Sequence, residues 1–210
     1  MKQRCGKTFL RLGVVFCFLG LLTACSLVKT QSKEEALKSV EWQYAQEGIE
    51  LNLTSEPTLN WWGDQPHTLL VSVLQLEELS VLEKYKSNQQ ALSELLLAET
   101  APAGFLSLNR FFLAPDSQLN KKIARVDKSR YVAIFLGYQH LDPQRSMRVY
   151  QIGTQFDRKG WVFREYKANP EAILVQLHLG ADGVMLSKKN TQSPTKITAP
   201  QSGWVDMTKE

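Results

Sequence analysis

At 210 residues, 43% of them hydrophobic and 22% charged, the chain has the length and apolar content of one globular domain with tails. Its formal net charge of +4 equals the contribution of Lys2, Arg4, Lys7 and Arg11, the only charged side chains among the first 24 residues. Without that segment the chain is formally neutral, which removes the electrostatic case for a nucleic-acid partner.

Residues 1–24 read as a secretory signal peptide. A basic start is followed by an apolar run over residues 12–22 and by the small residues Thr23 and Ala24 before Cys25. The run is too short for a stable membrane span. Leu22-Thr23-Ala24-Cys25 also resembles the lipobox of bacterial lipoproteins, in which the Cys receives diacylglycerol and, after cleavage, becomes the acylated first residue. The alternative is an ordinary signal peptide with a chance cysteine. Lipid on Cys25 would anchor durably, since each buried CH₂ is worth about 0.8 kcal/mol. Ser26 in place of Asp after the Cys favours, by the same resemblance, the outer membrane. Cys5 and Cys17 leave with the signal, so no thiol remains for a disulfide, a nucleophile or a zinc site.

Residues 25–39 read as a polar tether, and the domain is expected over residues 40–187. Ser32 and Glu35 have the spacing of a capping box for a short helix carrying Ala36, Leu37 and Val40. Val40, Trp42 and Tyr44 alternate with polar residues, however, which points to extended chain from Val40. Ile49, Leu51 and Leu53 take every second position of a half-buried strand. Residues 54–67 hold Pro57, Gly63-Asp64 and Pro66, the turn chemistry of a long loop. The almost continuous apolar run 68–76 then reads as a more central strand. Over residues 78–98, Leu79, Leu82, Tyr85, Leu92, Leu95 and Leu96 recur at helical spacing, giving two short amphipathic helices broken near Ser87-Asn88.

Strand patterns return at Phe105–Leu113, at residues 131–138 and, after a turn at Asp142-Pro143, at residues 147–152. Residues 131–138 are apolar on both faces and form the best candidate for a central strand. Ile173, Val175, Leu177 and Leu179 alternate, and Gly180-Ala181-Asp182-Gly183 turns the chain into Val184-Met185-Leu186 as a hairpin. Residues 188–210 are polar with spaced prolines and read as a flexible tail. About seven short strands with one helical excursion describe a mainly β, two-layer sandwich.

The search for chemistry returns little. His67, His140 and His178 are far apart and not in His-Glu-x-x-His spacing, so no zinc site or other metal is predicted. His178 falls on the outer face of its strand as a plain surface residue. No Gly-x-Ser-x-Gly elbow and no Gly-rich phosphate cradle occur. Glu77-Glu78 fit a solvated helix start, although a carboxylate pair could still be assembled by folding from distant residues. The reading is binding without catalysis, cofactor or small-molecule substrate. What stands out is Leu59-Asn60-Trp61-Trp62-Gly63-Asp64. Adjacent side chains on extended backbone take opposite faces, so at least one Trp is expected to be exposed, as interface anchors are. The competing expectation is that both fold back to cap an open end of the sandwich.

In this order the pieces resemble the type VI secretion lipoprotein family, TssJ (SciN). The resemblance rests on Leu59-Asn60, a loop with Gly63 and Pro66, and a strand ending in Gln75-Leu76. It continues through the Leu-rich segment at residues 92–97, the strand at 131–138 and Arg148. Ala133 replaces a glycine of the family pattern, Met147 stands where a Trp is usual, and residues 153–170 are longer and more charged than a minimal member needs. The resemblance implies a transthyretin-like sandwich tethered to the outer membrane at its periplasmic face. It further implies that the loop between the first two strands docks the periplasmic domain of the inner-membrane protein TssM. Carried over, the partner-binding residues are Leu59, Asn60, Trp61, Trp62, Gly63, Asp64 and Gln65, with the two Trp as apolar anchors and Asp64 at the rim. A pilot lipoprotein of another envelope complex, such as a secretin, and a ligand-carrying sandwich are the rival readings.

Overall fold

The computed structural model describes residues 31–161 and 165–192. The signal segment, Cys25 and residues 193–210 of the expected tail lie outside them. The described strands are β1 Ala45–Ser55, β2 Leu69–Leu76, β3 Phe105–Leu113, β4 Gln118–Arg125, β5 Tyr131–Leu136, β6 Met147–Gln151, β7 Thr154–Lys159, β8 Glu165–Pro170, β9 Ala172–Leu179 and β10 Val184–Gln192. Helices α1 Lys33–Lys38, α2 Gln89–Leu97 and α3 Pro143–Ser146 and a 3₁₀ helix, Leu79–Tyr85, complete them. Among the described residues no helix is long and apolar enough to cross a membrane.

Residues 40–155 and 169–192 form one unit. It holds two four-stranded sheets, ordered β10-β9-β1-β4 and β3-β2-β5-β6. The expected mainly β sandwich is present. In β1, Ile49, Leu51 and Leu53 pair with Ile173, Val175 and Leu177 of β9, and all six are buried. They meet Val71 and Val73 of β2 and Val132, Ile134 and Leu136 of β5 in one core. Strands β2 and β5 occupy the two inner places of their sheet, as their largely apolar runs predict.

The other faces of β2 and β5 present Leu74, Leu76, Ala133 and Phe135, which are equally buried. The helical insertion covers them with Leu82, Tyr85, Leu92, Leu95 and Leu96 in a second core. Tyr85, Phe105 and Phe135 lock the layers by edge-on and tilted ring contacts at 5.7–6.3 Å between centroids. The break near Ser87-Asn88 is real, and Asn88 caps α2 by accepting the Ala91 N–H at 3.0 Å. The first of the two expected helices is a 3₁₀ turn. Its Leu79, Leu82 and Tyr85 repeat every third residue, a period the tighter helix places on one face.

Two elements have no counterpart in the sequence reading, and two expectations need correction. Strand β4 was not anticipated, because only Leu119 and Ile123 of its eight residues are large and apolar, as suits an edge strand. The charged stretch 153–170 forms a two-stranded ribbon, β7 and β8. The strand expected to end near Leu186 runs to Gln192, through residues assigned to the tail. Its polar residues pair by backbone, Lys188 with Gln176 and Asn190 with Leu174, and a lysine-rich edge needs no apolar pattern. The proposed tether contains α1, with reciprocal capping bonds between Ser32 and Glu35 at 3.2 and 2.9 Å. Residues 40–44 have no regular structure, and the Gln43 N–H donates to the Glu41 carbonyl at 3.0 Å, so the strand expected from Val40 begins only at Ala45.

Gln75, fully buried on the inner face of β2, ties the sheets together. Its Nε2 donates to the Ala124 carbonyl at 2.8 Å and its Oε1 accepts the Val126 N–H at 2.9 Å, both at the end of β4 in the opposite sheet. Gln75→Leu keeps the size and strands both backbone groups, so the unfolding free energy should fall by about 2–4 kcal/mol in denaturant titration. Tyr150 is another polar tip in the core; its hydroxyl meets Ser187 at 2.8 Å, and burial pushes its pKa up to about 12. A folded-state pKa above the unfolded value near 10 gives stability that is intact below pH 10 and lost as pH rises towards 12. Stability measured against pH should therefore decline across that window, and less steeply in Tyr150→Phe.

Candidate interaction site

The loop between β1 and β2 is held by its base and leaves its tip open. Leu59 is fully buried in the main core. Asn60, 6% exposed, has a left-handed backbone with φ 49°, a conformation its short polar side chain tolerates. Its Oδ1 accepts the Gln139 N–H at 2.9 Å and its Nδ2 donates to the Thr68 carbonyl at 3.4 Å. One amide thus joins the loop to the chain leaving β5. The His67 N–H donates to the Leu59 carbonyl at 3.0 Å and closes the neck.

Beyond the neck, Trp62 and Gln65 exchange both backbone hydrogen bonds, at 3.1 and 3.2 Å, around Gly63-Asp64. Both central residues have positive φ, 56° and 61°, as a two-residue hairpin turn requires. The Trp61 N–H donates to the Ala181 carbonyl at 2.9 Å, so the tip is also braced against the β9–β10 turn. Trp61 and Trp62 remain 43% and 42% exposed. One face of Trp62 stacks on His67, centroids 4.3 Å apart and rings 18° from parallel. Neither Trp folds back to cap the core.

Other loops reach the same end. The Tyr138 hydroxyl donates to the Gly183 carbonyl at 2.9 Å, and burial pushes its pKa up. Arg145 pairs with Asp182, and the Asp116 N–H donates to the Glu56 carbonyl at 3.2 Å. Beneath the loop, His178 is not the bare surface residue expected. Its Nδ1 lies 2.8 Å from Thr54 Oγ1 and its Nε2 3.3 Å from Glu56 Oε1, steadying the loop's first residues. Met185, 62% exposed, packs beside Gly180, whose carbonyl accepts the Asn60 N–H at 3.4 Å. Sequence reasoning passed over it; the signal was three consecutive apolar residues, 184–186, in an edge strand with only one dry face. Among the described residues no group of three or more His, Cys, Asp or Glu is placed to hold a metal ion.

The expected partner-binding set therefore divides. Trp61, Trp62, Gly63, Asp64 and Gln65 are exposed, whereas Leu59 and Asn60 are buried and shape the loop without being available to a partner. Asn60→Ala removes two hydrogen bonds and places a methyl-bearing residue at positive φ. It should cost about 2–4 kcal/mol of stability and speed amide exchange at Trp61; Asn60→Gly, which keeps the φ, should cost less by about 1 kcal/mol.

The loop, both central strands and the helical insertion lie within residues 47–180, the span matched by the family described as type VI secretion lipoprotein, VasD, EvfM, TssJ. Among solved structures the chain is similar to the type VI lipoprotein TssJ1 from Pseudomonas aeruginosa, with 15% identity over 72% of this chain and 97% of that one, at a TM-score of 0.44. It is also similar to Serratia marcescens Lip, a membrane-bound component of the type VI secretion system, with 17% identity over 72% and 100% and a TM-score of 0.40. A chain of a type VI membrane complex matches with 13% identity over 68% and 98%, at a TM-score of 0.46. No curated protein matches. The sequence match alone spans well over half the chain, and on it the chain belongs to the type VI secretion lipoprotein family that includes TssJ.

Proposed function

We propose that this lipoprotein is anchored at Cys25 in the outer membrane and docks the periplasmic domain of a TssM-type inner-membrane protein, assembling the type VI secretion membrane complex. The observation that carries the docking reading is the pair of exposed Trp side chains on a loop whose backbone is fixed on every side. Large rings on pre-formed backbone bind with little ordering cost, and buried aromatic anchors dominate interface energies. Trp61 and Trp62 are the anchors, Asp64 and Gln65 the polar rim, and Met185 an adjoining apolar contact.

The mechanism is mechanical. Lipid on Cys25 holds one end, residues 26–39 link it to the domain, and the sandwich presents the loop to a protein rooted in the other membrane. Nothing in this role calls for turnover, a cofactor or a small-molecule substrate.

The test is co-purification of the mature chain with the periplasmic domain of the TssM-type protein from the same organism. Trp61→Ala with Trp62→Ala should weaken binding by about 2 kcal/mol or more, the scale of an aromatic hot spot, and leave the thermal transition nearly unchanged because both rings are already exposed. Failure of the folded wild type to bind would overturn the TssM reading in favour of a pilot for another envelope complex.

A further inference from the structure

Trp161 is 92% exposed, more than any other large apolar side chain among the described residues, and the loop-docking reading makes no use of it. It follows Gly160, whose φ of 86° turns the chain at the end of β7. Arg158 and Lys159 precede it on the ribbon, and Phe156 is 38% exposed. An isolated ring held so far out of a fold, next to cations, has the composition of a lipid-interface contact, where Trp prefers the headgroup level and Lys and Arg meet anionic lipid.

The ribbon is also fastened to the segment that leads from the lipidated residue. The Tyr166 N–H of β8 donates to the Gln31 carbonyl at 3.2 Å. Lys33 of α1 lies 5.6 Å from the Phe156 ring and 5.3 Å from the Tyr166 ring, bracketed by both. The six residues from Cys25 to Gln31 span at most about 20 Å, and the five from Trp161 to Tyr166 at most about 18 Å. Lipid at Cys25 therefore keeps the ribbon close enough to the bilayer for its tip to touch it.

We propose that the β7–β8 ribbon is a second membrane contact, in which Trp161 enters the headgroup region of an anionic bilayer and Arg158 and Lys159 meet lipid phosphates. This rests on the reading of Cys25 as the lipid anchor. A second attachment would restrict swivelling of the anchored segment about its single lipidated residue, rather than supply the retention that the acyl chains already give.

The experiment uses the mature chain with Cys25→Ser, which carries no lipid, sedimented with vesicles of phosphatidylethanolamine and phosphatidylglycerol. Binding is expected, weakened by salt and falling about tenfold in Trp161→Ala and again in Arg158→Glu with Lys159→Glu. Circular dichroism and the thermal transition should match the parent, since an exposed ring supports no packing. No vesicle binding by the Cys25→Ser chain, or equal binding by Trp161→Ala, overturns the proposal. A parallel arm labels the native chain in cells with a radioactive fatty acid. Label lost in Cys25→Ser upholds the anchor, so that absent vesicle binding then sinks the ribbon contact alone. A native chain without label removes the anchor and the proximity argument together.

Discussion

Strands β2 and β5 bury side chains on both faces, and a sheet with two dry faces must be covered twice. One cover is the sheet built on β1 and β9; the other is the 3₁₀ helix and α2 between β2 and β3. The inner core needs the alternation seen in β1 and β9, whose outward positions are polar or half-buried. The outer core needs only enough helix to seal four strands, and a short 3₁₀ turn with nine residues of α-helix does that. Two buried amides act as bridges, Gln75 between the sheets and Asn60 between two loops. Arg125 joins them at one end, its guanidinium donating to the Gln43 and Glu171 carbonyls at 3.1 Å, and burial lowers its pKa.

That framework also holds the exposed loop between β1 and β2. A loop carrying two Trp would collapse onto the nearest apolar surface if its backbone were free. Here the neck, the two-residue turn and the brace at Ala181 hold the rings outward, and the His67 stack sets the orientation of Trp62. The exposed Arg145–Asp182 pair contributes little stability.

The ribbon and α1 hold each other in a unit of their own. The cation held between two aromatic rings, and the backbone bond between Gln31 and Tyr166, turn part of a polar linker into ordered structure.

Local pattern was enough to read the mainly β class, the two central strands, the helical insertion and the loop with its two Trp. Each has a local signature: alternation, a doubly apolar run, a three-to-four residue period, or turn residues around adjacent aromatics. It could not determine β4 or the end of β10, because edge strands are held by backbone pairing and carry few apolar residues. Nor could it separate Leu59 and Asn60, which shape the loop, from Trp61 and Trp62, which it displays. Burial depends on what lies opposite, and here that is Gln139 and Ala181, residues 79 and 120 positions from Asn60 and Trp61. Only the tertiary structure, with β1 lying parallel to β9 across more than a hundred residues, brings those partners to the loop and decides that both rings face outward.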